Sequence, residues 1–330
     1  MSASHLDPQD MKQAIYNFAD NLRDAMAIGK QASLVRTYTN INNVIIAGMG
    51  GSAIGGDVNR MLLRDELTVP IYVSRNYQVP AWANEHTLVV ASSYSGGTEE
   101  TLSAVDDAFE KDCQICGITT GGKLLDILRD NDCDSVLIPA GLQPRAALAY
   151  SFVPMLYLLK EVGLVALDIE KKLEKTADLL GSLRDNYSKA DSKNETWSLA
   201  ERVHGTIPII YGETDSTAVA ALRWRGQLSE NGKMLAFHNE LPELNHNEIV
   251  GWENNSELFN HMSVIWLKDK SDQKRISIRQ DVTSGILKNI IKNQYEVTVS
   301  GEDRFERLLH LIHYGDWVSL WCAYLHDTDP

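Results

Sequence analysis

The chain has 330 residues, 44% of them hydrophobic and 23% charged, the composition of a globular protein long enough for two ordinary domains or one large one. A net charge of −14 argues against a nucleic-acid partner, because phosphate backbones are held by basic surfaces. No run approaches about 18 apolar residues, and MSASHLDPQDMKQ lacks a basic stretch ahead of an apolar core, so neither a membrane span nor a secretory signal is expected. The expected compartment is the cytoplasm. An acidic protein still holds one small anion where donors are arranged locally, such as the N–H groups that open a helix.

Asp7 followed by Pro8 is a helix-start signature, and Ile15, Phe18, Leu22 and Met26 follow at helical spacing, so residues 1–34 are expected to supply an N-terminal helix. NNVIIAG then reads as a buried strand, GMGGSAIGGD as a loop and DVNRMLLRDEL as a helix. VPIYVS and HTLVVASS are strands, SYSGGTEE is a second loop and TLSAVDDAFEK a helix. CQICGIT, KLLDILRDN and DSVLIPA supply strand, helix and strand, and PRAALAYSFVPMLYLLKEVG is a long apolar helix with a bend expected at Pro154. Continuous apolar strands alternating with helices predict a doubly wound α/β domain with a parallel sheet over residues 35–165. Residues 166–195 are charged and helical and read as a bridge. A second α/β series occupies 196–330: TIPIIYGE, a helix over DSTAVAALRWRGQLSEN ended by Asn231-Gly232, HMSVIWLKD, RISIRQDVTSGILKNI, NQYEVTVS and a long C-terminal helix. The shared strand–loop–helix rhythm suggests a duplication.

Cys113 and Cys116 form a CxxC, which a redox or zinc site also uses. A second CxxC is absent and no helix opens at Cys113, so small cysteines buried in a strand are expected.

The loop Gly48–Gly56 follows a strand and precedes a helix, where Gly50 and Gly51 let the backbone approach a ligand closely. It does not meet GxGxxG spacing cleanly, VPIYVSRNYQVP offers no acidic residue for a ribose, and there is no Walker lysine. A plain tight turn would explain this loop alone. The second loop, Ser92-Ser93-Tyr94-Ser95-Gly96-Gly97-Thr98, again lies between a strand and a helix. Hydroxyls of Ser93, Ser95 and Thr98 beside the opening N–H groups of a helix make a phosphate cradle without lysine or arginine. Helix capping explains Thr98 by itself but not the set.

GMGGSAIGGD and SSYSGGTEET resemble the paired loops of sugar isomerase (SIS) domains and, more narrowly, the bifunctional phosphoglucose/phosphomannose isomerase family. PRAALAYSF at Pro144–Phe152 and SENGKMLAFHNELPELNHNEIVGWE extend the resemblance over most of the chain. It implies two SIS-like subdomains and a cofactor-free aldose–ketose isomerase of carbohydrate metabolism, in glycolysis and gluconeogenesis. The substrates implied are fructose 6-phosphate with glucose 6-phosphate and mannose 6-phosphate. Ser52, Ser93, Ser95 and Thr98 would then hold the sugar phosphate and Arg145 would stabilise the enediolate. Glu230 would move the proton between C1 and C2, and His246 would assist ring opening from the neighbouring subunit of a homodimer. The alternatives are a non-catalytic sugar-phosphate sensor or an isomerase of another phosphosugar. Glu230 and Arg145 speak for catalysis, since a binding module needs neither.

These residues carry their own physics. A carboxylate at a helix C-terminus, as Glu230 is expected to be, faces the negative end of the dipole, which should raise its pKa toward that of a general base; a solvated glutamate is the bland alternative. His246 lies in the polar cluster Asn245-His246-Asn247-Glu248. Arg145 opens an apolar helix, unfavourable for the dipole unless an anion or an acidic neighbour is there. His238, Glu240, Glu243 and His246 have metal-ligand residue types without a metal-site spacing, so no metal is expected.

Two departures from the family pattern stand out. Gly97 replaces an asparagine common before the threonine, which removes one polar contact from the cradle. The family continues beyond a stretch like HDTDP into a segment whose lysine helps open the sugar ring, whereas this sequence ends at Pro330 without it. Either the sequence is a piece, or other groups open the ring, or catalysis is impaired; weaker catalysis than in a lysine-bearing relative is expected.

Overall fold

The structure is a computed structural model that describes residues 6–330. It divides into two compact units, one of Phe18–Ala177 and one of Asp178–Pro330 together with the N-terminal segment up to Asn17.

Two helices, α1 (Met11–Tyr16) and α2 (Phe18–Gln31), stand where the spacing predicts one. The N-cap is Asp10 rather than Asp7, but the Asp7 carboxylate reaches forward to accept the N–H groups of Met11 and Lys12 in the first turn, both at 2.7 Å. Asn17 then ends α1, and Phe18, Leu22 and Met26 are buried on α2.

The first unit continues with β1 (Asn43–Ala47), α3 (Gly50–Leu62), β2 (Ile71–Ser74), β3 (Thr87–Ser93), α4 (Glu99–Glu110), β4 (Gln114–Thr119), α5 (Gly122–Asp130) and β5 (Asp134–Leu137). A 3₁₀ turn at Pro144–Ala146 leads into α6 (Leu148–Glu161). All five strands are parallel, in the order β2-β1-β3-β4-β5. Strand alternation covers both faces: Ile45, Val89 and Ile115 pack with Ala104 and Val105 of α4 and Leu124 and Leu128 of α5, while Ile46 meets α3. GMGGSAIGGD is not the loop its glycines suggest, because α3 begins at Gly50. Gly50 turns the chain with φ +49°, whereas Gly51, Gly55 and Gly56 are needed for contact. A Cβ on Gly51 would lie 2.6 Å from the Pro144 carbonyl oxygen.

The expected bridge is largely α7 (Ile169–Tyr187), and the division between the units falls within it. The second unit adds α8 (Glu195–Val203), β6 (Ile207–Glu213), α9 (Ala218–Glu230), β7 (Phe237–Leu241), α10 (Ser256–Phe259), β8 (Met262–Leu267), α11 (Lys274–Leu287), β9 (Gln294–Val297) and α12 (Arg304–Leu325). Its sheet is also parallel, in the order β7-β6-β8-β9. β7 escapes a reading of the sequence because FHNEL is an edge strand with one fully buried residue and no apolar run. Helix α12 is buried from Phe305 to Ala323, and several of its polar side chains bond internally. Arg223 on α9, for example, holds Asp316 through Nε and Nη2 at 3.0 and 2.8 Å. No helix among the described residues is long and apolar enough to cross a membrane.

Candidate active site

In the first unit the strand order reverses direction between β1 and β3, and a crevice opens at the carboxyl ends of strands flanking such a reversal. The two strands pair through Ala47 and Ala91, so the loops that leave them are neighbours. From β1 the chain enters α3, where Gly50 opens the helix with φ +49° and Ser52 is buried in the first turn. From β3 it passes through Ser93, Ser95 and Thr98 into α4.

Thr98 occupies the N-cap position of α4, yet its side chain caps nothing. Its Oγ1 instead lies 2.9 Å from the Oγ of buried Ser93. Ser93 Oγ also accepts the Gly96 N–H at 3.1 Å, and Ser95 Oγ, at the exposed lip, accepts the Gly97 N–H at 3.3 Å. Hydroxyls and the N-termini of two helices therefore converge, an arrangement suited to an anion bound without a formal counter-charge. Arg145 lies half-buried in the 3₁₀ turn, whose Pro144 carbonyl touches Gly51. The first unit thus gathers Gly50, Gly51, Ser52, Ser93, Ser95, Thr98 and the Arg145 turn.

Glu230 and His246 belong to the second unit. Glu230 is the last residue of α9 and is exposed, and its carbonyl accepts the Lys233 ammonium at 2.5 Å. The turn behind it is fixed to α12: buried Asn231 donates to Ser319 Oγ at 3.0 Å, and His326 Nδ1 lies 2.8 Å from the Gly232 carbonyl. His246 ends a 3₁₀ turn, Glu243–His246, and is exposed. Its neighbour Asn245 donates to Thr283 Oγ1 on α11 at 2.8 Å, which ties this segment to a long helix. His238 lies half-buried on β7, where burial and then the Arg225 charge hold its pKa below the ordinary value. Among the described residues no group of three or more His, Cys, Asp or Glu side chains is placed to hold a metal ion.

The four cysteines are free and buried. Burial pushes the Cys113 thiol up to about 11 and Cys116 further still, the opposite of what a reactive CxxC needs. Tyr94 drew no attention in the sequence although it sits inside the hydroxyl loop. The available signal was an aromatic ring between two serines where small residues are expected.

Residues 192–330 match the family model of the bacterial phospho-glucose isomerase C-terminal SIS domain. The chain is 41% identical over 322 residues to the bifunctional phosphoglucose/phosphomannose isomerase of Caldicellulosiruptor bescii, covering 97% of this chain and 95% of that protein. It is 32% identical over 249 residues to the D-glucosamine-6-phosphate 4-epimerase of Sulfolobus acidocaldarius, covering 74% and 76%. In fold it resembles the C-terminal domain of glucosamine-fructose-6-phosphate aminotransferase from Francisella tularensis, with a TM-score of 0.72 at 16% identity over 97% and 96% of the two chains. The 41% identity, spread over nearly the whole of both proteins and spanning both sheets, settles the kinship: the chain belongs to the bifunctional phosphoglucose/phosphomannose isomerase family.

Proposed function

We propose that the chain interconverts fructose 6-phosphate with glucose 6-phosphate and mannose 6-phosphate through a cis-enediol intermediate, in the cytoplasm. The observation that carries this reading is that adjoining strands β1 and β3 each lead into a helix N-terminus with hydroxyls beside it, Ser52 in the first turn of α3 and Ser93, Ser95 and Thr98 ahead of α4. The phosphate is held by Ser52, Ser93, Ser95, Thr98 and the N–H groups of Gly50 and Gly51. Arg145, on the turn that touches Gly51, stabilises the negative charge that develops on the enediolate oxygens. Glu230 takes the proton from C2 of an aldose or C1 of the ketose and returns it to the other carbon. The enediol has no configuration at C2, so reprotonation from either face gives glucose or mannose 6-phosphate from one base. Hydrogen moves as a proton and the reaction is redox-neutral, so a nicotinamide or flavin has no step to serve. His246 of a second copy of the chain assists ring opening, which makes the homodimer the working unit. Its exposed position on an anchored turn supports that role.

A coupled assay that starts from fructose 6-phosphate and reads the two aldose phosphates separately tests the proposal. Formation of both, abolished in Glu230→Gln, is the expected result. Thermal stabilisation by fructose 6-phosphate without turnover would leave a sugar-phosphate sensor. The 32% identical epimerase favours one further reading, a phosphosugar epimerase using the same cradle. Turnover of glucosamine 6-phosphate with none of fructose 6-phosphate would establish that instead.

A further inference from the structure

Tyr94 stands between Ser93 and Ser95 and is buried, 8% exposed as a residue. Its backbone carbonyl accepts both the N–H of Thr120, at 3.2 Å, and the Thr120 hydroxyl, at 2.7 Å, which fastens the loop to the end of β4. The loop is fixed on that side again at Gly96: its carbonyl accepts the Leu124 N–H at 2.9 Å. With φ +67°, a Cβ there would lie 1.7 Å from the Gly121 carbonyl oxygen. Only glycine fits so close an approach in that backbone conformation.

The phenol reaches away from this fastened loop. Its oxygen accepts the N–H of Leu142 at 3.0 Å. Leu142 lies in the segment between β5 and the 3₁₀ turn and precedes Arg145 by three residues. One loop therefore carries the phosphate hydroxyls and also holds the strand of backbone that delivers the arginine. Gly51 packs against Pro144 at the end of the same segment.

We propose that Tyr94 is a positioning residue, a strut that fixes Arg145 at a set distance from the bound phosphate. It rests on the reading of Arg145 as the group that stabilises the enediolate. The phenol oxygen accepts a backbone amide of the segment that bears Arg145, so its influence on the reaction runs through Arg145. A net hydrogen bond is modest in stability, but displacement of a charge-stabilising group is expressed in rate.

Tyr94→Phe keeps the ring and removes the acceptor. The expected outcome is a fall in kcat of about five- to tenfold, with KM for fructose 6-phosphate moved less than about twofold. Thermal stabilisation by inorganic phosphate should match the parent chain, since the phosphate hydroxyls are untouched. Leu142→Pro, which deletes the donor from the other end, should give the same split. In an Arg145→Ala background Tyr94→Phe should cost nothing further, because the strut then holds nothing. An unchanged kcat, a raised KM at constant kcat, or an undiminished loss in the Arg145→Ala background each overturns the strut. Arg145→Ala with parental kcat removes the reading of Arg145 itself, and the strut with it.

Discussion

Gly51→Ala puts one methyl group where α3 meets the Arg145 turn. The added Cβ would lie 2.6 Å from the Pro144 carbonyl oxygen, 3.2 Å from its carbon and 3.7 Å from the Arg145 nitrogen. Ordinary contact begins at 3.4 Å, so helix and turn must separate by about 0.8 Å. Both neighbours are backbone, and neither can rotate away as a side chain would. Overpacking of this kind costs about 1–3 kcal/mol, which for a unit of this size lowers the melting midpoint by roughly 2–12 °C. The larger effect is on rate, because a shift approaching 1 Å in the turn that bears Arg145 is worth on the order of ten- to a hundredfold in kcat. Steady-state kinetics on fructose 6-phosphate, with a thermal melt and a phosphate titration on the same preparation, separates the two. A Gly51→Ala chain with parental kcat and parental midpoint would show that the contact is slack and that Arg145 is not placed by it.

Two further outcomes concern the second unit. Arg223→Met strands Asp316, whose carboxyl burial pushes up against the pull of the Arg223 charge and its hydrogen bonds. Breaking such a buried pair costs about 3–5 kcal/mol in urea unfolding, and a loss below about 1 kcal/mol would mean that Asp316 is rescued by its Gln227 contact at 2.9 Å. His313 gives a pH dependence: burial, and then the charges of His310, Arg223 and Arg184, lower its pKa from 6.5 to about 3. The unfolded chain therefore binds this proton more readily than the folded one, so its contribution is complete above pH 6.5 and is lost as pH falls toward 3. The Trp317 indole N–H, donating to His313 Nε2 at 3.0 Å, is consistent with a neutral ring. His313→Gln should flatten the stability profile over that window, and an identical slope in both chains would refute the assignment.

The sequence reveals most of the fold because the inner strands are continuous apolar runs: VIIA and LVVA are short, rich in β-branched residues and bounded by turn residues, which suits a strand buried on both faces. It fails where one residue type serves two purposes. Glycines at 50–56 read as a loop, but within α3 Gly51, Gly55 and Gly56 permit close packing, and tertiary contact overrides their low helix propensity. FHNEL was invisible as a strand because an edge strand with one buried residue carries no hydrophobic signal. Within the candidate site, the serines and threonine were legible as a set, since hydroxyls clustered between a strand and a helix have few structural uses. That Thr98 turns from its own helix toward Ser93 could be learned only from coordinates. The Tyr94 bond to Leu142 spans 48 positions, a separation at which sequence pattern carries no information.

The second sheet reverses strand order as the first does, between β6 and β8, so the same topology offers a second crevice. The residues there are of another kind. Glu213 ends β6, Asp215 follows it, and Asp269 and Asp272 lie beyond β8. The Ser216 hydroxyl donates to Asp272 Oδ1 at 2.5 Å, and the Asp269 N–H donates to Asp272 Oδ2 at 3.1 Å. Arg307, the cation of this cluster, is engaged by Asp269 Oδ2 at 2.7 Å and by the Ser271 hydroxyl at 3.0 Å. A carboxylate of the chain thus takes the donors that the first crevice leaves for a phosphate. Burial raises the pKa of Glu213 and of Asp272, and neighbouring carboxylates, Asp215 and Asp272 for the one and Asp269 for the other, push them the same way. A phosphate dianion would meet those charges at short range in a poorly screened site, and repulsion would outweigh what one serine and a helix terminus can supply. Equilibrium titration should therefore find one phosphate per chain, lost when Ser93 and Thr98 are replaced by alanine and valine. Two phosphates per chain, or one that survives that double replacement, would place an anion site in the second crevice after all.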